Sequence, residues 1–197
     1  MPKENASDRV SLFPSASHLL PEGKTEINIV EERHIRMMKM SLAQIRPFAL
    51  CMLSEEAINN EIAKIPAIAT LCTITDFDQN DNGGLKLQII GTQKVRLTQI
   101  HVEYDDLLSA EYTEYPNWPT SPVEEEDCEL ADKLQLFFET MPEIGALYPD
   151  PHYKNLSWIC QRWIEVLPLE VHYKQLLITQ DSPKLTCRFL HRLFFEE

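Results

Sequence analysis

The side chains in this sequence that could hold a metal or move a proton are six histidines, five cysteines and one dense carboxylate run, Glu124-Glu125-Glu126-Asp127. Zinc sites legible in a sequence pair cysteines as C-x-x-C or set histidines as H-x-x-x-H or H-E-x-x-H, spacings that place two ligands on one turn or one helix face. His18, His34, His101, His152, His172 and His191 make no such pair. Cys51, Cys72, Cys128, Cys160 and Cys187 are widely spaced, with no histidine at zinc-finger distance from any two of them. They read as reduced thiols, Cys160 on an apolar helical stripe and Cys72 in a strand-like run, where cysteine acts as a small hydrophobe. No serine sits in a G-x-S-x-G elbow. No G-x-x-x-x-G-K-[ST] loop occurs, and five glycines cannot build that phosphate cradle, which excludes ATP hydrolysis of that kind. The carboxylate run falls in the first turn of an expected helix, where acidic side chains stabilise the dipole and face solvent. The residues therefore nominate no catalytic group, no cofactor-binding group and no metal ligand.

Binding is a different matter. Met37, Met38 and Met40 give one helix a cluster of flexible thioethers of the kind used on adaptable surfaces, and the same cluster would serve equally as core filler. Tyr112, Tyr115 and Trp118 lie in a segment interrupted by Pro116 and Pro119, outside any clear stripe. Tyrosine and tryptophan are frequent interface anchors. The alternative is that they seal a junction between two halves of the chain.

Those halves differ in period. Over residues 1–120 apolar residues mostly alternate, the strand signal. A strand at 10–13 is expected to stop at Pro14. Pro21-Glu22-Gly23 turns the chain, with glycine supplying the positive φ a tight turn requires. Residues 25–29 alternate again, and over 31–44 the recurrence of Ile35, Met38, Leu42 and Ile45 predicts a helix with Glu31 and Glu32 at its positive end. Phe48, Leu50 and Met52 resume the alternation. Residues 54–64 read as a loop or short helical excursion. Asp81-Asn82-Gly83-Gly84 predicts a hairpin between strands at 68–77 and 85–89, and the alternation slips by one residue near Gln99, which predicts a bulge or turn.

Residues 121–197 read as helical. Ser121, Pro122 and Glu124 form an expected N-cap, first-turn proline and capping-box glutamate. Apolar stripes follow at Leu130, Leu134, Phe137, Phe138 and Met141; at Leu156, Ile159, Cys160, Trp163 and Leu167; at Tyr173, Leu176 and Leu177; and at Leu185, Phe189 and Leu193. Helices patterned this way must bury those faces on each other and on the sheet. Low-complexity tracts and glycine-rich linkers are absent, so the two halves are expected to dock firmly.

Composition sets the remaining bounds. With 44% hydrophobic and 25% charged residues over 197, the chain is long enough for a real core. Its net charge of -13 repels phosphate backbones and makes nucleic acid an unfavoured partner. No apolar run reaches the roughly 18 residues a membrane span needs, and the polar start has no signal-like apolar stretch, so the expected location is the cytosol.

An ordered set of short motifs adds a resemblance. Leu12-Phe13-Pro14, Leu20-Pro21-Glu22-Gly23 and Ile29-Val30-Glu31-Glu32-Arg33-His34 with Met37-Met38, closed far downstream by Leu167-Pro168-Leu169 and Lys174-Gln175-Leu176-Leu177, resemble the Lon amino-terminal domain. Gly91-Thr92-Gln93-Lys94-Val95-Arg96-Leu97 is similar to that family's G-x-x-R-F/V-x-I strand, and residues 108–112 to its A-x-V segment. Departures stand at His34 for tyrosine, Val30 for phenylalanine, and Ile65-Pro66-Ala67-Ile68 without the usual G-T-x-A glycine. The resemblance implies an α+β fold, a PUA-like β pseudo-barrel over 1–120 followed by a helical bundle over 121–197. It implies a stand-alone member lacking ATPase and Ser-Lys peptidase domains, a module that binds unfolded or peptide-like segments, or a component of the proteolysis machinery. RNA binding, known for PUA-like barrels, and a small-molecule enzyme with a dispersed site are the alternatives.

Overall fold

The computed structural model describes residues 9–53, 65–81 and 83–195. The expected loop or helical excursion at 54–64 and Asn82 of the hairpin motif lie outside them. Strands β1 (Arg9–Ser15), β2 (Lys24–Ile29), β3 (Phe48–Met52), β4 (Ile68–Gln79), β5 (Leu85–Val102) and β6 (Leu108–Glu114) form one sheet in the order β2-β5-β4-β3-β1-β6. A further pairing of β6 with β5 brings the sheet round on itself. The 18 residues of β5 make this possible: one edge pairs with β4 along most of its length, while the other pairs first with β2, up to Ile90, and then with β6, from Val95. The result is an irregular pseudo-barrel whose closure protects strand edges that would otherwise recruit other chains. β1 and β3 run parallel, which demands a long connection; β2 and helix α1 (Glu32–Leu42) supply it.

Two faces of the same strands fill two cores. Val10, Leu12, Ala49, Cys51, Ala69, Val95, Leu97, Leu108 and Ala110, drawn from all five closing strands, pack together, and their small members let the strands curl tightly. Phe48 and Leu50 point the other way, toward Ile27, Ile29, Met37 and Met38. α1 therefore buries Met37 and Met38, while Leu42 and Ile45 of the expected stripe are exposed at 47% and 75%.

The hairpin forms at its expected place: Asn80 N–H donates to the Gly84 carbonyl at 2.8 Å, and Gly83 has φ +83°. The slip at Gln99 is also there, as a register shift between Thr98 and His101 with Gln99 at φ +45°. Pro14, however, does not end its strand. Ser11 N–H donates to Pro47 and the Ser15 carbonyl accepts from Leu53, so odd-numbered residues of β1 bond toward β3 and Pro14 turns its missing donor the other way. Pairing with β6 has ended by then, at Ser11, so the proline costs no ladder bond.

The helical half comprises α2 (Cys128–Thr140), the one-turn α3 (Pro142–Gly145), α4 (Leu156–Val166), α5 (Val171–Ile178) and α6 (Lys184–Phe195). The predicted cap at Ser121 is not one. Asn155 takes Pro122 into a β-bridge and accepts Ser121 N–H on its side chain, so the helical run starts later, with a 3-10 turn over Glu125–Asp127. The same Asn155 oxygen caps α4 by accepting from Ser157 N–H at 3.1 Å. α4 is buried on nearly every side, with Trp158, Ile159, Cys160 and Ile164 at the centre of a core that reaches Leu20, Met52, Ile68 and Trp118 of the β half.

Candidate functional site

Two of the sequence motifs, far apart in the chain, meet at the seam between sheet and helices. Gly23 N–H closes the Leu20-Pro21-Glu22-Gly23 turn on the Leu20 carbonyl at 2.9 Å, and the left-handed residue is Glu22, at φ +64°. Gly23 is needed for a different reason than a positive φ. A methyl group there would collide with Glu165 Oε1 and come within 2.9 Å of both Arg162 Nη2 and Leu19 Cδ1. Gly91, where β5 passes from one neighbour to the next, exchanges two backbone bonds with this turn, donating to Gly23 and accepting from Glu22 at 2.9 and 2.8 Å.

Beneath the turn lies a pair of buried charges on α4. Arg162 Nε is 2.7 Å from Glu165 Oε2, and its Nη2 donates both to Glu165 Oε1 and to the Pro21 carbonyl, at 2.8 and 2.9 Å. Glu165 in turn accepts Leu20 N–H at 2.6 Å. Burial pushes the Glu165 carboxyl up to about 7, against the opposing pull of Arg162 and the Leu20 amide. Lys174, also buried, donates to the Glu165 carbonyl at 3.2 Å, and burial brings it down to about 8. Burial and the Lys174 charge hold the neighbouring His18 imidazole down to about 4, so it is neutral when it bonds the Leu53 carbonyl.

The second motif continues the seam. The Gln175 amide accepts from Ile68 N–H at 3.1 Å and donates to the Ile68 carbonyl at 3.0 Å, completing the edge of β4 as a neighbouring strand would. On the far side Lys94 of β5 reaches the end of α5, its ammonium donating to the Ile178 carbonyl at 2.7 Å, between the rings of Tyr115 and Trp118. A cation there complements the negative end of the helix. Burial lowers Lys94 to about 8.

The nominated binding residues divide accordingly. Tyr115 O–H donates to the Thr179 carbonyl and Trp118 Nε1–H to that of Gln180, so both side chains close the junction. Tyr112 lies against the barrel cluster. Met37 and Met38 are core, and Met40 is partly buried against the guanidiniums of Arg36 and Arg46. None of them borders the apolar groove beside α5.

That opening lies between α5 and α6, lined by Leu169, Tyr173, Leu176, Leu185 and Phe189 with Arg188 and Arg192 at its rim, a groove of about 440 Å³. Tyr173 and Leu176 are 53% and 55% exposed, and Leu185 37%. A second opening of about 800 Å³ lies on the other side of α5, between Met52, Pro66 and Ile68 of the β half and Val171, Gln175 and Leu176. Leu176 borders both. Of the stripes expected to be core, Leu177 is buried and Phe189 packs partly against the bundle core, whereas Tyr173, Leu176, Leu185 and Leu193 are exposed. α6 instead buries Thr186, Cys187 and Leu190, a face turned from the expected stripe by about 100°, one residue step of a helix. Both helices are apolar on two sides, and periodicity alone does not distinguish the inner one.

Among the described residues, one group of potential metal ligands converges, Asp127, Cys187 and His191, on the side of α6 away from this groove. Asp127 is buried, unlike the exposed glutamates before it, which corrects the expectation that the whole carboxylate run is solvated. No described helix is long and apolar enough to cross a membrane.

Comparison with known proteins gives one family match. The model of the ATP-dependent protease La (LON) substrate-binding domain matches residues 9–193. Among solved structures, a Lon N-terminal domain protein from Xanthomonas campestris superposes with a TM-score of 0.70 at 22% identity, over 92% of this chain and 96% of that one. The N-terminal domain of Mycobacterium avium complex Lon protease gives 0.60 at 12% identity, over 93% and 96%. At these identities the likeness is one of fold. No curated protein matches the chain.

Proposed function

This chain belongs to the ATP-dependent protease La (LON) substrate-binding domain family, and from that membership we propose that it is a non-enzymatic module of cytosolic proteolysis that holds apolar segments of unfolded polypeptide in the groove between α5 and α6. The observation that carries the reading is the pairing of exposed Tyr173, Leu176 and Leu185 across one concave surface. An isolated exposed leucine is ordinary, whereas a contiguous apolar concavity rewards an apolar partner. An unfolded segment offers such side chains free of prior packing. Arg188 at the rim favours segments flanked by acidic residues, and the acidic charge elsewhere on the chain discourages other anions.

Fluorescence anisotropy with a labelled, permanently unfolded polypeptide tests this. Leu176→Asp and Leu185→Asp each place a charge in the groove at an exposed site, and each is expected to weaken binding by roughly tenfold or more, the 1.4 kcal/mol or so that losing one apolar contact represents. Phe77→Asp, at an exposed position of β4 away from the groove, leaves affinity unchanged. Equal affinity in all four proteins, or no binding by the unaltered chain, refutes the proposal.

A further inference from the structure

A site of another kind lies in the helical core. Asp127, at the end of the 3-10 turn, receives two hydrogen bonds on one carboxylate oxygen: the Cys187 thiol at 3.0 Å and His191 Nε2 at 2.8 Å. The three ligand atoms all lie within 4.8 Å of one another. Three groups that bind metals thus converge from two places in the fold, and Cys187 and His191 share a face of α6 because they are four residues apart.

The surroundings make this concentration unusual. Cys160, Cys187 and Asp127 are buried beside Leu130, Ile159 and Leu190, residues of the apolar bundle core. A carboxylate taken out of water is costly without a compensating cation, and here its ion-pair partner is a histidine that carries charge only when protonated. A nucleophilic triad does not explain the arrangement. In such a triad the base bonds the nucleophile, whereas here thiol and imidazole both turn to the same carboxylate oxygen.

We propose that Asp127, Cys187 and His191 form a site for one zinc-like divalent ion, with water as the fourth ligand, which ties the start of α2 to α6. One sulfur, one imidazole nitrogen and one carboxylate oxygen beside a water are a donor set suited to zinc. Metal–ligand bonds of about 2.0 to 2.3 Å in a tetrahedron hold the donor atoms about 3.3 to 3.8 Å apart. The ion therefore enters by replacing the two hydrogen bonds to Asp127 and widening those contacts by less than about 1 Å, while the thiol proton leaves to solvent. The His191 side chain is 28% exposed and gives the ion its way in.

The test is titration of the reduced, full chain with Co²⁺ and then Zn²⁺, followed by absorption spectroscopy. One equivalent of Co²⁺ is expected to produce the near-ultraviolet thiolate charge-transfer band and the intense visible bands of a tetrahedral site, both erased by Zn²⁺. Cys187→Ser removes the charge-transfer intensity that Cys187 supplies. His191→Gln, at a partly exposed position that the fold tolerates, weakens binding by roughly tenfold or more with an unchanged far-ultraviolet circular dichroism spectrum. Cys128→Ser, which removes the exposed thiol, changes nothing. The proposal is overturned by absence of stoichiometric binding, by a spectrum of weak octahedral bands without thiolate charge transfer, by undiminished affinity in His191→Gln, or by loss of the bands in Cys128→Ser.

Discussion

Replacing Arg162 by methionine removes the cation from a buried pair while keeping much of its volume, and the geometry predicts a pH-dependent penalty. The guanidinium is 1% exposed and its carboxylate partner 8%. Breaking such a pair costs about 3–5 kcal/mol because the remaining charge is stranded. In a chain of this length that lowers Tm by about 6–20 °C. Glutamate, unlike arginine, can escape by taking up a proton. In the unaltered protein the Glu165 carboxyl is raised from 4.5 to about 7. A raised carboxyl contributes stability that is fully present below about pH 4.5 and declines as pH rises, until the folded-state pKa near 7 is passed. Without Arg162 the folded-state value climbs further and the decline continues, at about 1.4 kcal/mol per pH unit. From about pH 7 to 8.5 Arg162→Met should therefore lose about 2 kcal/mol more than the unaltered chain. Glu165→Gln strands an arginine that cannot shed its proton, so its penalty stays flat across the same range. Urea unfolding at a series of pH values, read by the fluorescence of Trp158, whose ring lies 5.4 Å from the Arg162 guanidinium, measures all three proteins. Arg162→Met within about 1 kcal/mol of the unaltered protein throughout, or parallel pH slopes in the two variants, would refute the reasoning.

Gly23→Ala forces a methyl group against Arg162 and Leu19, so its urea midpoint should fall by the equivalent of about 1–3 kcal/mol with an unchanged m-value. Burial raises the Glu103 carboxyl, but Arg46 and Arg36, bonded to it at 2.6 and 2.7 Å, outweigh this and hold it down to about 2. Its stabilisation is present above about pH 4.5 and lost as pH falls through 2, so Arg46→Met should shift acid unfolding to higher pH in a circular dichroism titration. Lys94→Met leaves the Ile178 carbonyl without that donor, a loss of about 1–3 kcal/mol that hydrogen exchange should register as faster opening at the end of α5.

How much of this was legible beforehand depended on the range of the interaction. Local chemistry was: the Asp81 to Gly84 hairpin, the slip at Gln99 and the apolar stripe of α4 all stand where the residues placed them, because a glycine's φ or a period of two or 3.6 is set within a few positions. Where the answer came from a distant partner, local reading failed. Ser121 looked like a cap until Asn155 engaged it, and Pro14 looked like a strand end although β6 had already left that edge. The motifs marked the family, but their work at the seam, Gln175 completing β4 and the Pro21 turn seated on Arg162, involves groups more than 100 residues apart.

By itself the sequence determined which segments extend and which coil, that the chain carries no phosphate-binding loop, and to which family its ordered motifs point. Only the tertiary structure decided which of two apolar faces of α5 and α6 goes inward, and so where the groove lies. It also decided that Asp127, Cys187 and His191 share one place. The physical reason is that burial belongs to the packed assembly: a helix apolar on two sides has no inner face until its neighbours occupy one, and side chains from separate helices converge only once those helices have docked.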